Sequence, residues 1–530
     1  MSVKKTINND YSVAYSADTD SQYVRTVDTD TPYAVQVRRS SSLAASSDKT
    51  GYAVAARRVV VGTAQRTVVA YSAPYANLTE SDEGCVYILS SSVERSLGSN
   101  GSTLNRFGSN IGANPATRLS ASYLELAGNK SQSRKIGSGD HHWTASGNRS
   151  YRYRGIDINI IQKGSTYYKT TLAGSTNHWS VARGARIGAA YVWDLELDVG
   201  NKNFVKEYFL TASDTVAGDG FGAEVLSNTN AYGNYVFVGA PGQHSGSTAD
   251  TGAIYYYRWN NSDENYGAPS KLITPYGANA NAYHGTALSA YDLHLVAGAP
   301  GHDHVAIYTQ TAAAAFTKVQ TINHPSASTS GNTKFGISVS LSSSYLAVGA
   351  TLDSGSEGKV HNDAAGRVFI YKSSSAGFAL EAEVAPTASH ADNQDSWFGI
   401  SVSMDDGYLV VGNSEFRAHP NAFKTPGRVY IYKSGSGGWS EHKVIDYPGT
   451  NQFVYMGASI ANANGMAVVG AHGDHATLDD SGTATGVAYI YDESRVTSTA
   501  NAGQPFRYGA KTVNNIRGIG AGTDIKITTS

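Results

Sequence analysis

The amino-acid sequence predicts an all-β fold made of repeated units, and three observations support this. Gly accounts for 56 of the 530 residues and Tyr for 35, while only 16% of the residues are charged, against roughly 25% in an average globular protein. Gly, Tyr, Val, Ser and Thr are typical of half-buried pleated surfaces, whereas long exposed helices are rich in Glu, Lys, Arg and Leu. The hydrophobic content of 41% argues against disorder. Similar sequence segments also recur along the chain.

The recurring segment has three parts in a constant order. It opens with Phe-Gly and a run that alternates at period two, continues with an apolar run ending in Val-Gly-Ala, and closes with Gly-Arg-Val-Tyr-Ile-Tyr or a variant. Clear copies occupy residues 334–372 and 398–433. Successive copies start about 57 residues apart, which gives eight repeats between residues 51 and 509. The other copies start at Gly51, Gly108, Gly222, Gly285 and Gly457, with a short copy over 170–195 and a partial one at Gly509.

Each part of the repeat predicts one strand. The alternation at 337–340 predicts a strand with one buried face, and the apolar run at 345–350 predicts a strand buried on both faces. Residues 429–432 alternate aliphatic with aromatic side chains, and residues 380–384 supply a fourth, outer strand. Four strands per repeat, arranged around a ring, form one blade of a β-propeller. The predicted fold is therefore an all-β propeller of seven or eight four-stranded blades.

The repeat resembles the FG-GAP repeat of integrin α-chain propellers and of many bacterial and phage proteins. The resemblance covers roughly residues 51–509 and implies a propeller, usually of seven blades. Calcium-binding copies of that repeat carry an Asp-rich loop, but here the loops at 341–344 and 404–407 cannot supply the six to eight oxygens that calcium needs. We therefore carry over no calcium site. The motifs that carry the resemblance are Phe398-Gly399, Val238-Gly239-Ala240-Pro241 and Gly427-Arg428-Val429-Tyr430-Ile431-Tyr432.

The chain divides into three predicted parts. Residues 1–50 form an N-terminal anchoring or closing segment, residues 51–508 form the propeller, and residues 509–530 form a C-terminal strand that closes the ring. The net charge of −2 gives no reason to expect a nucleic-acid partner. The single cysteine, Cys85, excludes an intrachain disulfide. We expect neither a secretory leader nor membrane insertion, because no long apolar run occurs.

Histidine and aspartate cluster in three loops. Imidazole and carboxylate groups are competent ligands for transition metals, but polar residues on a solvated rim give the same pattern. Because the loops belong to non-adjacent blades, they need not converge, so we predict no metal and no cofactor, and whether these loops bind a metal stays open. The sequence has no Gly-x-Ser-x-Gly, P-loop or His-Glu-x-x-His motif, so we predict no catalytic residue. The clusters are His302-Asp303-His304, His472-Gly473-Asp474-His475 and Asp140-His141-His142.

Two further groups of residues have a functional and a structural interpretation. The carboxylate pairs Asp353 with Glu357 and Asp479 with Asp480 suit glycoside cleavage, but acidic loop residues are more often solvated turns. Exposed rings can stack on sugars or fill a protein interface, and alternating tyrosines also pack blades. These rings are Tyr255-Tyr256-Tyr257, Trp259 and Trp397.

His284 stands where other copies have the Phe of Phe-Gly, and we expect it to pack or cap.

These observations predict a non-enzymatic structural and adhesion propeller. We expect a virion component, in a phage tail or capsid appendage, that is oligomeric in an assembly and contacts other virion proteins or a host-surface protein or glycan. The low charge, the Gly/Ser/Thr/Tyr-rich composition and the weak catalytic patterns support this expectation. A bacterial cell-surface adhesin, which would be extracellular, and a polysaccharide-degrading propeller enzyme are the alternatives.

Overall fold

A computed structural model describes most of the chain between residues 49 and 492, with gaps in the long connections. All regular structure in these residues is β, and no helix among them is long and apolar enough to cross a membrane. The described ranges are 5–6, 22–26, 34–38, 49–61, 64–74, 85–91, 117–119, 152–176, 179–180, 185–196, 205–273, 280–325, 333–353, 366–386, 397–405, 407–414, 426–447, 453–463, 466–474, 486–492 and 526–527.

The strands form six blades and one closing sheet. Three strands precede blade 1, namely β1 (Lys5–Thr6), β2 (Gln22–Thr26) and β3 (Ala34–Arg38). Of these, β2 and β3 belong to the closing sheet, and β1 pairs with the last strand of the chain. Blade 1 has β4 (Val54–Val61), β5 (Ala64–Ala73), β6 (Cys85–Ser91) and β7 (Thr117–Leu119). Blade 2 has β8 (Arg152–Lys163), β9 (Thr166–Ser175), the hairpin β10 (Trp179–Ser180) and β11 (Ala185–Arg186), β12 (Ala189–Glu196) and β13 (Val205–Leu210). Blade 3 has β14 (Val225–Asn230), β15 (Gly233–Ala240), β16 (Ala253–Asn260), the short β17 (Asn265–Tyr266) and β18 (Ser270–Ile273).

The second half of the chain continues the same order. Blade 4 has β19 (Leu288–Tyr291), β20 (His294–Ala299), β21 (His304–Ala312) and β22 (Ala315–Asn323). Blade 5 has β23 (Ser338–Leu341), β24 (Tyr345–Ala350), β25 (Arg367–Ser374) and β26 (Gly377–Val384). Blade 6 has β27 (Phe398–Asp405), β28 (Tyr408–Asn413), β29 (Arg428–Gly435) and β30 (Gly438–Asp446). The closing sheet has β31 (Ser459–Asn462), β32 (Met466–Ala471) and β33 (Val487–Asp492), and the last strand is β34 (Lys526–Ile527).

The predicted count of seven or eight four-stranded blades is wrong, because the described residues form six blades of four antiparallel strands. In blade 3 these four are β14, β15, β16 and β18, and β17 only extends one end of β16. The count of eight repeats failed in the N-terminal half. Residues 170–195, predicted to form a short copy of their own, instead supply two strands of blade 2, whose first strand is β8. Residues Phe107-Gly108, the predicted start of a repeat, lie outside the described residues.

The closing sheet differs from the blades because its five strands come from two distant parts of the chain, β2 and β3 before blade 1 and β31 to β33 after blade 6. Its order is β2-β3-β33-β32-β31, and β3 is antiparallel to β33 with Val35 opposite Ile490. The two-residue strand β34 pairs separately with β1. The rest of the predicted closing strand, 509–530, lies outside the described residues, so its role stays a prediction.

The Phe-Gly motif forms a tight turn at the entrance to the innermost strand in blades 3, 5 and 6. In blade 6 the N–H of Ile400 donates to the carbonyl of Trp397 at 3.1 Å, which makes Phe398 and Gly399 the central residues of the turn. Gly399 has a φ of 86°, as the third position of a type II turn requires. Phe398 is fully buried and packs edge-on against Tyr430. The motif therefore encodes a turn that inserts a ring into the core.

Adjacent blades meet at a glycine that has no room for a side chain. A Cβ atom on Gly349, in β24, would lie 2.1 Å from the carbonyl oxygen of Gly399 in the next blade. Glycine at this point allows the two backbones to touch, which explains the Gly of the Val-Gly-Ala segment. The equivalent pairs are Gly174 with Gly222, Gly239 with Gly285, Gly298 with Gly336, Gly412 with Gly457, and Gly470 with Gly51, the last of which joins the closing sheet to blade 1.

The hydrophobic core lies between neighbouring blades. Strand β24 is buried on both faces, as its continuous apolar run predicts, and Leu346 and Val348 are fully inaccessible to solvent. One cluster combines Ala347 of blade 5 with Leu409 and Tyr430 of blade 6. Each blade therefore depends on its neighbours to bury its faces, which is the expected behaviour of a ring of repeats.

Candidate functional site

Apart from the connection between β6 and β7 in blade 1, the long connections begin and end on one side of the propeller. Neighbouring strands of a blade run in opposite directions, so four strand ends lie on the same side. They are the start of the first strand, the end of the second, the start of the third and the end of the fourth. We call this side the loop face. The opposite side carries short turns, such as the one between Ser374 and Gly377. Loops held by a rigid framework often carry binding residues, so we expect a binding site on the loop face.

Aromatic side chains lie on the loop face at the entrances to blade 6, the closing sheet and blade 1, and we call them the aromatic rim. We define it by Trp397, Phe453, Tyr455, His472 and Tyr52. Trp397 and Phe453 are 42% and 48% exposed, which is unusual for large apolar side chains. Trp397, Phe453 and Tyr455 also adopt left-handed backbone conformations, with φ between 55° and 58°. A bulky residue adopts that conformation only where the surrounding structure imposes it.

Three rings of the rim contact one another in sequence. His472 stacks on Tyr455, with a centroid separation of 5.1 Å and an interplanar angle of 5°. Tyr52 of blade 1 lies 5.2 Å from His472 and is tilted by 50° to it. Burial, together with the charge of Lys49, lowers the pKa of His472 to about 4. The imidazole is therefore neutral at physiological pH and acts as a flat ring in the stack.

The predicted histidine loop of blade 4 fastens that blade to its neighbour. The carboxylate of Asp303 accepts the backbone N–H groups of Thr333 and Phe335 at 3.1 Å, and both donors belong to the entrance of blade 5. His302 Nε2 lies 2.8 Å from the carbonyl oxygen of Ala280. His304 is buried at the start of β21, and burial lowers its pKa to about 4. These side chains hold loops in place rather than converge on a common point.

The equivalent loop of the closing sheet has the same role. Asp474 is fully buried and accepts the hydroxyl of Tyr447, which follows the outer strand of blade 6, at 2.6 Å. It also accepts the hydroxyl of Tyr489 in β33. His475 and the third predicted cluster, Asp140-His141-His142, lie outside the described residues. Within the described ranges no group of three His, Cys, Asp or Glu side chains is placed to hold a metal ion.

The predicted carboxylate pairs are only partly described. Asp353 is buried, and its carboxylate lies 2.9 Å from Nε2 of His324, the residue that follows the outer strand of blade 4. His324 in blade 4 and Tyr447 in blade 6 therefore occupy equivalent positions, each bonded to an aspartate in the next sheet. Glu357 and the pair Asp479 and Asp480 lie outside the described residues.

Most of the predicted aromatic residues pack inside the propeller. Tyr255, Tyr256, Tyr257 and Trp259 are buried in blade 3, whereas Trp397 lies on the rim. His284 takes the place of Phe in its turn and is fully buried, with Nε2 2.9 Å from the hydroxyl of Tyr308. Burial and neighbouring His304 lower the pKa of His284 to about 3, so it packs as a neutral ring. Its sequence position therefore predicted its packing role.

The central channel contains a second group of polar residues that sequence reasoning missed. The innermost strands of all six blades and the closing sheet line a cavity of about 370 Å³. Serines line much of the wall, but blade 2 contributes Asp157 and blade 3 contributes Glu224. Asp157 accepts the backbone N–H of Ser227 at 2.7 Å and lies 3.9 Å from Nε of Arg57. Burial and the nearby Asp157 raise the pKa of Glu224 to about 8.

A signal for these channel residues was present in the sequence. Glu224 follows Phe221-Gly222 at the position where the copies at Gly336 and Gly399 have serine. A position-by-position comparison of the copies reveals this exception.

A scan against models of known protein families finds no match, and a search of curated proteins also finds none.

Proposed function

We propose that the chain is a non-enzymatic structural and adhesion propeller of a virion, in a phage tail or capsid appendage. Its role is to make contacts with other subunits or with a host surface. The observation that carries the proposal is the aromatic rim, where Trp397 and Phe453 stay exposed on a face whose loops are fastened. The FG-GAP-like repeats and the sparse charge of the chain support the same role.

The fastening of the loops favours contact over turnover. Asp303, Asp353 and Asp474 each bond to a residue of another blade or sheet, so their carboxylates stabilise the ring. A preformed surface loses little conformational entropy when it binds, which favours tight contact with a partner. Large rings such as Trp397 and Phe453 supply much of the binding free energy at interfaces and stack on sugars.

The proposal can be tested with rim variants and a matched control. The double variant Trp397→Ala/Phe453→Ala removes both exposed rings, and Leu380→Ala removes a side chain with the same 48% exposure as Phe453 from outer strand β26. Sedimentation velocity measures self-association, and a glycan array measures binding to sugars. We expect the double variant to lose the association or glycan binding of the natural chain, and Leu380→Ala to retain it. Equal behaviour of both variants would contradict the proposal.

A second candidate function is cleavage of a polysaccharide, and one observation favours it. Glu224 has a raised pKa beside a second carboxyl group, Asp157, and such pairs serve as acid and base in glycoside hydrolysis. Reducing-sugar release from a panel of bacterial polysaccharides, with Glu224→Gln as the control, tests this candidate. Activity that is lost in Glu224→Gln would replace the contact proposal with an enzymatic one.

A further inference from the structure

A buried lysine–aspartate pair lies in blade 2, toward the face opposite the loops. Lys163 ends strand β8 and Asp194 lies in β12, so the lysine side chain crosses the intervening strand β9. The Lys163 Nζ is 2.5 Å from Asp194 Oδ2, and the two side chains are only 3% and 1% exposed. Taking both charges out of water is costly, so such pairs require an explanation beyond an ordinary surface ion pair.

Aromatic rings enclose the amine. The Nζ of Lys163 lies 4.1 Å from the ring centre of Trp259 and 3.1 Å from the hydroxyl oxygen of Tyr266, both on blade 3. Tyr208 of β13 completes the enclosure, and the three rings meet edge to face. The enclosure holds Nζ of Lys163 against the carboxyl group of Asp194, within reach of its carbon once one proton has passed from the amine to the carboxylate.

The carboxyl group of Asp194 is held by further donors. Thr170, on the strand between the two partners, donates its hydroxyl to Oδ1 of Asp194 at 2.7 Å. Tyr208 also hydrogen-bonds to this carboxyl group, and burial and Asp194 raise the pKa of Tyr208, so its phenol keeps its proton. Donors fixed around a carboxyl group stabilise the negative charge that develops on oxygen when a nucleophile attacks its carbon.

We propose that Lys163 and Asp194 condense to form an intramolecular isopeptide bond. An ammonium proton passes to the carboxylate, and the neutral Nζ of Lys163 attacks Cγ of Asp194. The new Nζ–Cγ bond replaces the Cγ–Oδ2 bond, and Oδ2 leaves as water with one proton from the carboxyl group and one from the amine. No oxidant or other reactant is consumed. Thr170 and Tyr208 stabilise the tetrahedral intermediate.

The bond would fasten the first strand of blade 2 to its third. An ion pair elsewhere shows what distinguishes this one: Lys271 Nζ and Asp214 Oδ2 are 2.8 Å apart, but their side chains are 26% and 48% exposed. Water solvates both groups of that pair and competes for their contact. The exposed pair provides an internal control within the same chain.

The test is the intact mass of the full chain after native purification. We expect a mass about 18 Da below the value calculated from the sequence, because one water is lost. Trypsin should fail to cleave after Lys163, and fragmentation should find one branched peptide containing Lys163 and Asp194, with Lys271 and Asp214 unlinked. A succinimide on an aspartate gives the same loss, but it joins no two peptides and opens in mild base.

Two variants make the test more specific. Lys163→Arg keeps the positive charge but cannot form the amide, so its mass should equal its sequence value. Asp194→Asn can still react, with loss of ammonia instead of water, and should yield the same cross-linked product as the natural chain. A natural chain with the full sequence mass and normal cleavage after Lys163 would overturn the proposal, whatever the folding of the variants.

Discussion

Substituting the glycine at a blade junction should destabilise the whole ring. In Gly349→Ala the new Cβ would lie 2.1 Å from the carbonyl oxygen of Gly399 and 2.3 Å from the hydroxyl oxygen of Ser338. A carbon and a carbonyl oxygen need roughly 3.3 Å, so blades 5 and 6 must separate by about 1 Å. Such overpacking costs about 1–3 kcal/mol. The separation also stretches the hydrogen bond from Ser338 to the carbonyl of Gly399, now 2.7 Å, which adds about 1 kcal/mol.

The assay is equilibrium unfolding in urea, with Gly437→Ala as the control. Gly437 lies in the turn between β29 and β30, its φ is not positive, and a Cβ there would meet nothing within 4 Å. We expect Gly349→Ala to lose about 2–4 kcal/mol of stability and Gly437→Ala to stay within about 0.5 kcal/mol of the natural chain. Equal unfolding midpoints for the two variants would refute the view that close backbone contact between blades requires these glycines.

Three further predictions concern the polar groups. Because the pKa of Glu224 is raised, the native state binds more protons than the unfolded state between about pH 4.5 and 8. The free energy of unfolding should therefore fall as the pH rises through this range. Glu224→Gln should remove that fall. Tyr447→Phe removes one donor from the buried carboxylate of Asp474 and should cost about 1–3 kcal/mol in urea unfolding. Asp303→Ala removes the acceptor of two N–H groups of blade 5 and should lower the melting temperature measured by circular dichroism.

Each of these predictions has a control. Glu264 is exposed, so Glu264→Gln should keep the pH dependence of the natural chain, and parallel profiles for both glutamine variants would contradict the channel argument. Tyr291 is 48% exposed, so Tyr291→Phe should leave the unfolding midpoint unchanged. For Asp303, rescue by Asn should be partial, because an amide offers one acceptor oxygen instead of two. Full stability of Asp303→Ala would show that the N–H groups of blade 5 find water instead.

The repeat made the propeller predictable because its information is local. Phe-Gly encodes a turn, since only glycine readily adopts the φ of 86° found at Gly399, and the apolar run at Leu346 encodes a strand with two buried faces. Blade 2 was misread because its first strand opens without a Phe-Gly pair, so the repeat was cut in the wrong place. The five-stranded closing sheet combines distant parts of the chain, and local patterns do not specify that pairing.

The roles of the loop residues depend on contacts that sequence spacing does not reveal. Asp303 and Asp474 have both a ligand and a structural interpretation from the sequence, and the structure places hydrogen-bond donors from neighbouring sheets against them. The channel carboxyl Asp157 accepts the N–H of a residue 70 positions away, Ser227. Lys163 and Asp194 were also invisible to motif reasoning, since their proximity depends on the order of strands within blade 2.

The native mass of the purified chain tests the central claim most directly. Native mass spectrometry over a range of concentrations, with negative-stain images of the same sample, gives the copy number and the symmetry of the particle. A contact subunit of a virion should form a defined oligomer in which the loop faces, with Trp397 and Phe453, lie at the contacts. A chain that stays monomeric at every concentration would contradict the virion proposal.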